Sequence, residues 1–362
     1  MQQDSFPILG VDHVHFWVNN ARQNAFFYHS LFGFDISGYR GLETGSRDEV
    51  SFLLTQNDLN FVFTAPIRPG SMMAPLIADH GDFVRDIAFR VEDVEWSYKA
   101  AIERGAKSAL APTVYEDEHG KVVKASIHTY GDVLHSFVDR SGYHGLWEPQ
   151  FEARHVKGDS LGLIEVDHCV GNVELGKMNE WVAWYQKVLG FDLFISFDDK
   201  DISTDYTALM SKVMASGNQK IKFPINEPAQ GRKKSQIDEF LEFFGGAGAQ
   251  HVALRTEDII HTVSRLRQRG IDFLYVPQTY YEDLGKRVGE IDEDIKELAK
   301  LGILVDRDED GYLLQIFTKP ITDRPTLFYE IIERKGAKSF GKGNFKALFE
   351  SIEREQEVRG TL

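Results

Sequence analysis

Apolar and polar positions follow one order twice in this chain. Residues 9–35 read LGVDHVHFWVNNARQNAFFYHSLFGFD, and residues 163–192 read LIEVDHCVGNVELGKMNEWVAWYQKVLGFD. Each predicts a strand carrying V-D-H, a turn, an aromatic-rich amphipathic helix, and an L-x-G-F-D step into a further strand. A second pair echoes later, DIAFRVEDVEWSYKAAIERGAKSALAPT at 86–113 and HVALRTEDIIHTVSRLRQRGIDFLYVPQ at 251–278. Both predict a strand, a helix opening on E-D and closing on R-G, and a strand ending at proline. Acidic residues in a first helical turn and glycine just past the last are the expected start and stop signals.

Each half of the chain therefore reads as two strand–helix–strand–strand–strand units. In the second half the later strands are DLFISF, TALMSKVMA and KIKFPIN, then ILVDRD, YLLQIFTKP and TLFYEIIE. Units of this kind curl into an open, barrel-like sheet with helices outside. The expected fold is α+β: two tandem open β-barrel-like domains, each of two βαβββ units, plus a C-terminal closing helix. Residues 1–150 form the first and 151–362 the second, with the polar stretch FEARHVKGDS (151–160) as linker. The stretch 280–302 reads as an insertion, helical around 292–301. In the tail, Phe345, Leu348, Phe349 and Ile352 follow the i, i+3, i+4, i+7 spacing of a helix with one apolar face.

Composition narrows the function classes. At 362 residues, 42% hydrophobic and 27% charged, the chain is an ordinary globular protein with room for two cores. A net charge of −15, with no basic cluster beyond Gly231-Arg232-Lys233-Lys234, argues against nucleic acid as a partner. The single cysteine, Cys169, allows no intrachain disulfide and suits a reducing compartment. Its place beside His168 on a strand points it to the opposite face. MQQDSFPILG carries no secretory pattern and no stretch approaches a membrane span, so a cytoplasmic protein away from the membrane is expected.

Three residues stand out within this frame: His168 in IEVDHCV, His251 in AQHVALR and Glu330 in TLFYEII. Strand parity puts Val166 and Val170 on the face of His168, Ala253 beside His251, and Phe328 and Ile332 beside Glu330. Imidazoles and a carboxylate do not face an apolar interior unless paired or bound to a metal. Two neutral imidazoles and one carboxylate form a facial set suited to Fe(II), with open positions for O2 and a chelating substrate. The repeat supplies an internal control. His13 stands where His168 does, but Asp86 replaces His251, and Glu330 aligns approximately with Glu148. The first half is thus expected to bind no metal, with His15, His135 and His144 as core or surface histidines.

The long runs VDHCVGNV, FPINEPAQGRKKSQIDEFLEFFGGAGAQHVAL, GYLLQIFTKPITDRPTLFYEIIERKG and FGKGNFKALFESIEREQ resemble the 4-hydroxyphenylpyruvate dioxygenase family of the vicinal-oxygen-chelate superfamily. The resemblance covers nearly the whole chain and is strongest from about 163 to 358. It implies Fe(II) on His168, His251 and Glu330. It also implies a polar substrate wall of Ser211, Pro224, Asn226, Gln236 and Gln250. Gln315, Phe317, Phe328, Phe340, Asn344 and Phe345 are then expected around the aromatic ring and the closing helix, with Gln315 and Asn226 taking part in catalysis beside the ligands. Amide side chains can hydrogen-bond a phenol and a 2-oxo acid without adding charge, and phenylalanines can sandwich the ring. Gly341 and Gly343 are expected to let the last helix close over the mouth.

The implied partners are a small 2-oxo acid and O2, and the implied assembly is a homo-oligomer, a dimer or tetramer. The implied reaction takes 4-hydroxyphenylpyruvate and O2 to homogentisate and CO2, a step of tyrosine and phenylalanine catabolism. A 4-hydroxymandelate synthase is the near rival; it differs in the P-x-N segment and the closing helix, where this chain has Pro224-Ile225-Asn226 and Phe345. An extradiol ring-cleaving dioxygenase shares the repeat but lacks QIFTKP and FGKGNF. A non-catalytic binder of aromatic ligands on the same fold would have no use for three metal donors.

Overall fold

In the computed structural model, residues 6–198, 204, 206–229 and 231–362 are described. Met1–Ser5, read above for a leader, and Gln230, inside one of the family-like runs, lie outside them.

The first half runs β1 (Ile8–Trp17), α1 (Ala21–Phe32), β2 (Asp35–Arg40), β3 (Glu49–Gln56) and β4 (Leu59–Pro66). After α2 (Met73–His80) come β5 (Phe83–Val91), α3 (Val94–Glu103), β6 (Lys107–Asp117), β7 (Gly120–His128), β8 (Leu134–Asp139) and β9 (Glu152–Val156). The second half opens with β10 (Leu163–Asn172), α4 (Met178–Leu189), β11 (Asp192–Phe197), β12 (Leu209–Ala215) and β13 (Lys222–Pro228). Then follow α5 (Gln236–Phe244), β14 (Gly248–Thr256), α6 (Ile259–Gln268) and short helices α7 (Thr279–Glu282), α8 (Leu284–Val288) and α9 (Ile295–Leu301). The chain ends with β15 (Leu304–Arg307), β16 (Tyr312–Phe317), β17 (Phe328–Lys335) and α10 (Phe345–Arg359).

These strands make two curled sheets of one topology, ordered β6-β7-β8-β5-β1-β4-β3-β2-β9 and β11-β12-β13-β10-β14-β17-β16-β15. In each, two βαβββ units meet through an antiparallel central pair, β1 with β5 and β10 with β14. Parallel pairs flank it: β1–β4 and β5–β8 in one sheet, β10–β13 and β14–β17 in the other. The α+β repeat expected above is therefore the observed one. Asn20, Asp93, Ser235 and Asp258 cap α1, α3, α5 and α6 through their side chains, satisfying first-turn N–H groups that have no partner inside the helix.

Three features depart from the reading. Glu152–Val156, inside the expected linker, adds β9 to the edge of β2, so the first sheet runs past the expected boundary at 150. The strand expected at the end of 251–278 is reduced to a single bridge, Phe273 with Thr318. The edge of β16 that it would occupy is taken by β15, which begins only after the insertion. The insertion itself holds three short helices, α7 to α9, rather than one.

One apolar core runs through both halves. Tyr28 on α1 and Tyr329 on β17 join them through a fully buried 2.8 Å hydroxyl pair, and Tyr185 on α4 shares a 2.7 Å hydrogen bond with His135 on β8. These contacts use the outer sides of the sheets. The concave side of the second sheet is left for the polar residues below.

Candidate metal centre and cavity

β10, β14 and β17 are adjacent, so their inward side chains meet at one level. Cross-strand register pairs His168 with Ala253, and Ala253 with Glu330, while His251 lies two residues before Ala253 on the same face. Glu330 Oε2 is 3.1 Å from His168 Nε2 and 3.4 Å from His251 Nε2. One donor atom from each residue lies within 4.8 Å of the others, and all three residues are buried.

The far side of each imidazole is occupied. Asp167 Oδ1 is 2.6 Å from His168 Nδ1, and Gln250 Oε1 is 3.1 Å from His251 Nδ1. With Nδ1–H donating in both rings, Nε2 is the atom each turns towards Glu330: protonated it hydrogen-bonds the carboxylate, and deprotonated its lone pair is a metal donor. Burial alone would push the Glu330 carboxyl up, but the two histidines hold it down to about 2, so it stays ionised. Burial disfavours a charged His168, yet Glu330 and Asp167 outweigh it and raise its affinity for a proton. Burial lowers that of His251. Two imidazole nitrogens, each ring oriented from behind, and an ionised carboxylate fit a divalent metal of the kind that takes mixed N and O donors. Among the described residues they are the only such His, Cys, Asp or Glu group.

These donors stand at one wall of a cavity. Of the residues expected to bind substrate, Ser211, Pro224, Asn226, Gln236, Gln250, Gln315, Phe317, Phe328, Phe340 and Phe345 all line it. Ser211 and Asn226 are cross-strand partners on β12 and β13, and Gln315 and Phe317 point the same way from β16. Gln236 is the first residue of α5 and also reaches the cavity, where its Oε1 lies 3.4 Å from Gln250 Nε2. Phe328 stacks on His251 with ring centres 4.7 Å apart, and Phe340 meets His168 edge-on at 4.9 Å. Gln315 Oε1 is buried and has no hydrogen-bond partner among the described residues.

Asn344 is placed differently. It is fully buried but does not line the cavity; the Tyr280 hydroxyl donates to its Oδ1 at 2.6 Å. The apolar lining also includes Val170, expected on the face of His168; Phe197, Leu209 and Val213, which the sequence did not single out; and Leu348, Phe349 and Ile352 of α10. The helical spacing of the tail was the available signal for the last three.

The first half shows what a repeat without the donor set looks like. His13 and Asp86 occupy the places of His168 and His251. Glu148 is not the counterpart of Glu330, however. The parallel pairing of β5 with β8 places Ser136 there, and Ser136 hydrogen-bonds the Asp86 carboxylate through N and Oγ. Glu148 lies beyond β8, bound to Lys124, Arg40 and Arg140. Burial by itself would raise its carboxyl, but these three cations hold it down to about 2. Its stabilisation is therefore complete above pH 4.5 and fades as pH falls towards 2. Glu148→Gln is expected to cost on the order of 3 kcal/mol at neutral pH and to flatten that acid limb, as urea unfolding at several pH values would read. Metal content should not change.

Curled βαβββ sheets enclosing two histidines and a glutamate define a metal-dependent enzyme of the vicinal-oxygen-chelate class. The model of the Glyoxalase/Bleomycin resistance protein/Dioxygenase superfamily accordingly matches residues 10–144 and 165–316, one match per sheet. A 4-hydroxyphenylpyruvate dioxygenase of Dictyostelium discoideum is 48% identical, with 98% of this chain and 100% of that protein covered. One from Yarrowia lipolytica is 46% identical over 368 residues, covering 98% and 93%. Among solved structures, a triply substituted 4-hydroxymandelate synthase from Streptomyces coelicolor superposes with a TM-score of 0.88 at 30% identity, covering 97% and 99%. The chain belongs to the 4-hydroxyphenylpyruvate dioxygenase family. No helix among its described residues is long and apolar enough to cross a membrane.

Proposed function

We propose that this chain converts 4-hydroxyphenylpyruvate and O2 to homogentisate and CO2, with Fe(II) held by His168, His251 and Glu330. The observation that carries the reading is the buried donor set at the wall of a cavity that combines amide and phenylalanine side chains. Relatives bearing that enzyme's name match end to end at nearly half identity. Iron, when bound, supplies chelation of the 2-oxo acid and activation of O2.

The chain's own residues do the rest. Asn226, Ser211, Gln236, Gln250 and Gln315 offer uncharged donors and acceptors to the substrate's polar ends. Phe317, Phe328 and Phe340 hold the ring against the metal wall, and Pro224 stiffens the polar wall beside Asn226. Phe345, Leu348, Phe349 and Ile352 seal the cavity, so that ring and side chain react in a fixed relation with water excluded. The reading includes assembly as a dimer or tetramer and a cytoplasmic location.

Product identification by mass and NMR after aerobic turnover with added Fe(II) tests it, and homogentisate is the expected product. The likeness to a 4-hydroxymandelate synthase supports a second reading, in which the side chain rather than the ring is hydroxylated; 4-hydroxymandelate as sole product would establish that one. Ligand binding without iron uptake or turnover would leave only a binding protein.

A further inference from the structure

Behind the metal ligand His168 stands a pair of charges that reaches the segment leading into α10. Asp167 Oδ1 accepts from His168 Nδ1 at 2.6 Å. The same carboxylate takes two bonds from Arg334, Nε to Oδ2 at 2.7 Å and Nη2 to Oδ1 at 2.8 Å. The remaining Nη1 of Arg334 donates to the backbone carbonyls of Ala337 and Ser339, at 3.2 and 2.7 Å. The guanidinium also lies over the Phe340 ring, 5.5 Å from its centre, and that ring packs edge-on against His168. One side chain thus touches both the partner of a metal ligand and the start of the segment that closes the cavity.

We propose that Asp167 and Arg334 are positioning residues that link the orientation of His168 to the seating of residues 337–345, so that metal binding and cavity closure favour each other. The inference rests on the metal reading above. The planar guanidinium makes a two-bond fork to Asp167 while keeping a further N–H group for the two carbonyls. A ring fixed by Asp167 presents Nε2 to the metal; a carboxylate displaced by movement of Arg334 no longer fixes it. Linkage is reciprocal, so whatever loosens the segment weakens metal binding, and metal binding tightens the segment.

The other sheet provides the control. Asp12, His13 and Arg140 repeat the arrangement, with Asp12 Oδ2 2.7 Å from His13 Nδ1 and 3.0 Å from Arg140 Nη2. There Arg140 clamps the carbonyl of Trp147 at 2.6 Å, after β8, and no complete donor set stands in front among the described residues. The Asp–His–Arg chain thus belongs to the repeat, and only in the second half does it join a metal ligand to the closing segment.

The test uses Co(II), read by its visible bands, with backbone hydrogen exchange followed across 337–349 in the full chain. Wild type is expected to bind one equivalent and to slow exchange in that segment on binding. Arg334→Lys, which keeps the charge but loses the fork, should bind Co(II) at least about tenfold more weakly and lose the metal-induced protection. Asp12→Asn should change neither. Unchanged exchange in wild type on saturation with Co(II) would overturn the coupling while leaving the metal site intact, and this holds even if Arg334→Lys does not fold. Arg334→Lys with wild-type affinity and protection would overturn it too. Absence of any Co(II) binding by wild type would defeat the metal reading itself.

Discussion

Glu330→Gln is expected to abolish stoichiometric iron and to cut turnover on the order of a thousandfold, while the metal-free protein keeps its fold. In the proposed iron centre the carboxylate is the anionic donor, and it lies within 3.4 Å of both imidazole Nε2 atoms. An amide of the same shape fills the same space and can still hydrogen-bond the histidines, so no cavity opens. It carries no charge, and loss of several kcal/mol of charge stabilisation corresponds to about three powers of ten in rate. His251→Ala should give the same loss of iron, but it also removes the ring on which Phe328 stacks, so it disturbs packing as well. Iron by inductively coupled plasma emission, turnover by oxygen uptake, and thermal unfolding of the metal-free variant separate the two effects. Turnover retained in Glu330→Gln would refute its role as a ligand.

The donor set was legible because strand parity is a strong constraint. Residues spread over β10, β14 and β17 had to share one face once the repeat fixed which strands lie together. Parity also misled at one point. Neighbours on a regular strand point to opposite faces, which hides any contact between Asp167 and His168. The β10–β14 register shifts between Val166 and His168, and the β1–β5 register between Val11 and His13. These bulges break the alternation, bring each aspartate onto its histidine, and leave Val166 out of the cavity lining. The repeated V-D-H was the visible signal; the bulge that gives it meaning is a cross-strand property absent from either strand alone. Glu148 was matched to Glu330 for a similar reason: chemical identity suggested the pairing, whereas the β5–β8 register selects Ser136. Asn344 belongs to a run that resembles the family, but its side chain goes to Tyr280, a partner in the insertion that no local pattern reveals.

The second large effect is expected at Gly341. Its φ of +74° lies in the left-handed region, and a Cβ there would stand 2.5 Å from Gln315 Oε1 and 2.8 Å from Nε2. Gln315 is nearly inaccessible, and its strand is held on both sides by β15 and β17, so its amide end can yield only by turning into the cavity it lines. In Gly341→Ala the closing segment must therefore move outward, carrying Phe340 and Phe345 off the cavity, or Gln315 must swing into the space meant for substrate. Either displacement is of the ångström scale at which positioning is lost, and kcat/KM should fall on the order of a hundredfold. Gly360 separates this collision from backbone strain. It has a φ of +73° at the end of α10, and a Cβ added to it would meet nothing within 4 Å, so Gly360→Ala carries the conformational penalty of about 1 kcal/mol alone. Steady-state kinetics of the two variants should differ sharply, with Gly360→Ala close to wild type. Equal losses would mean that strain, not the approach to Gln315, is what glycine at 341 relieves.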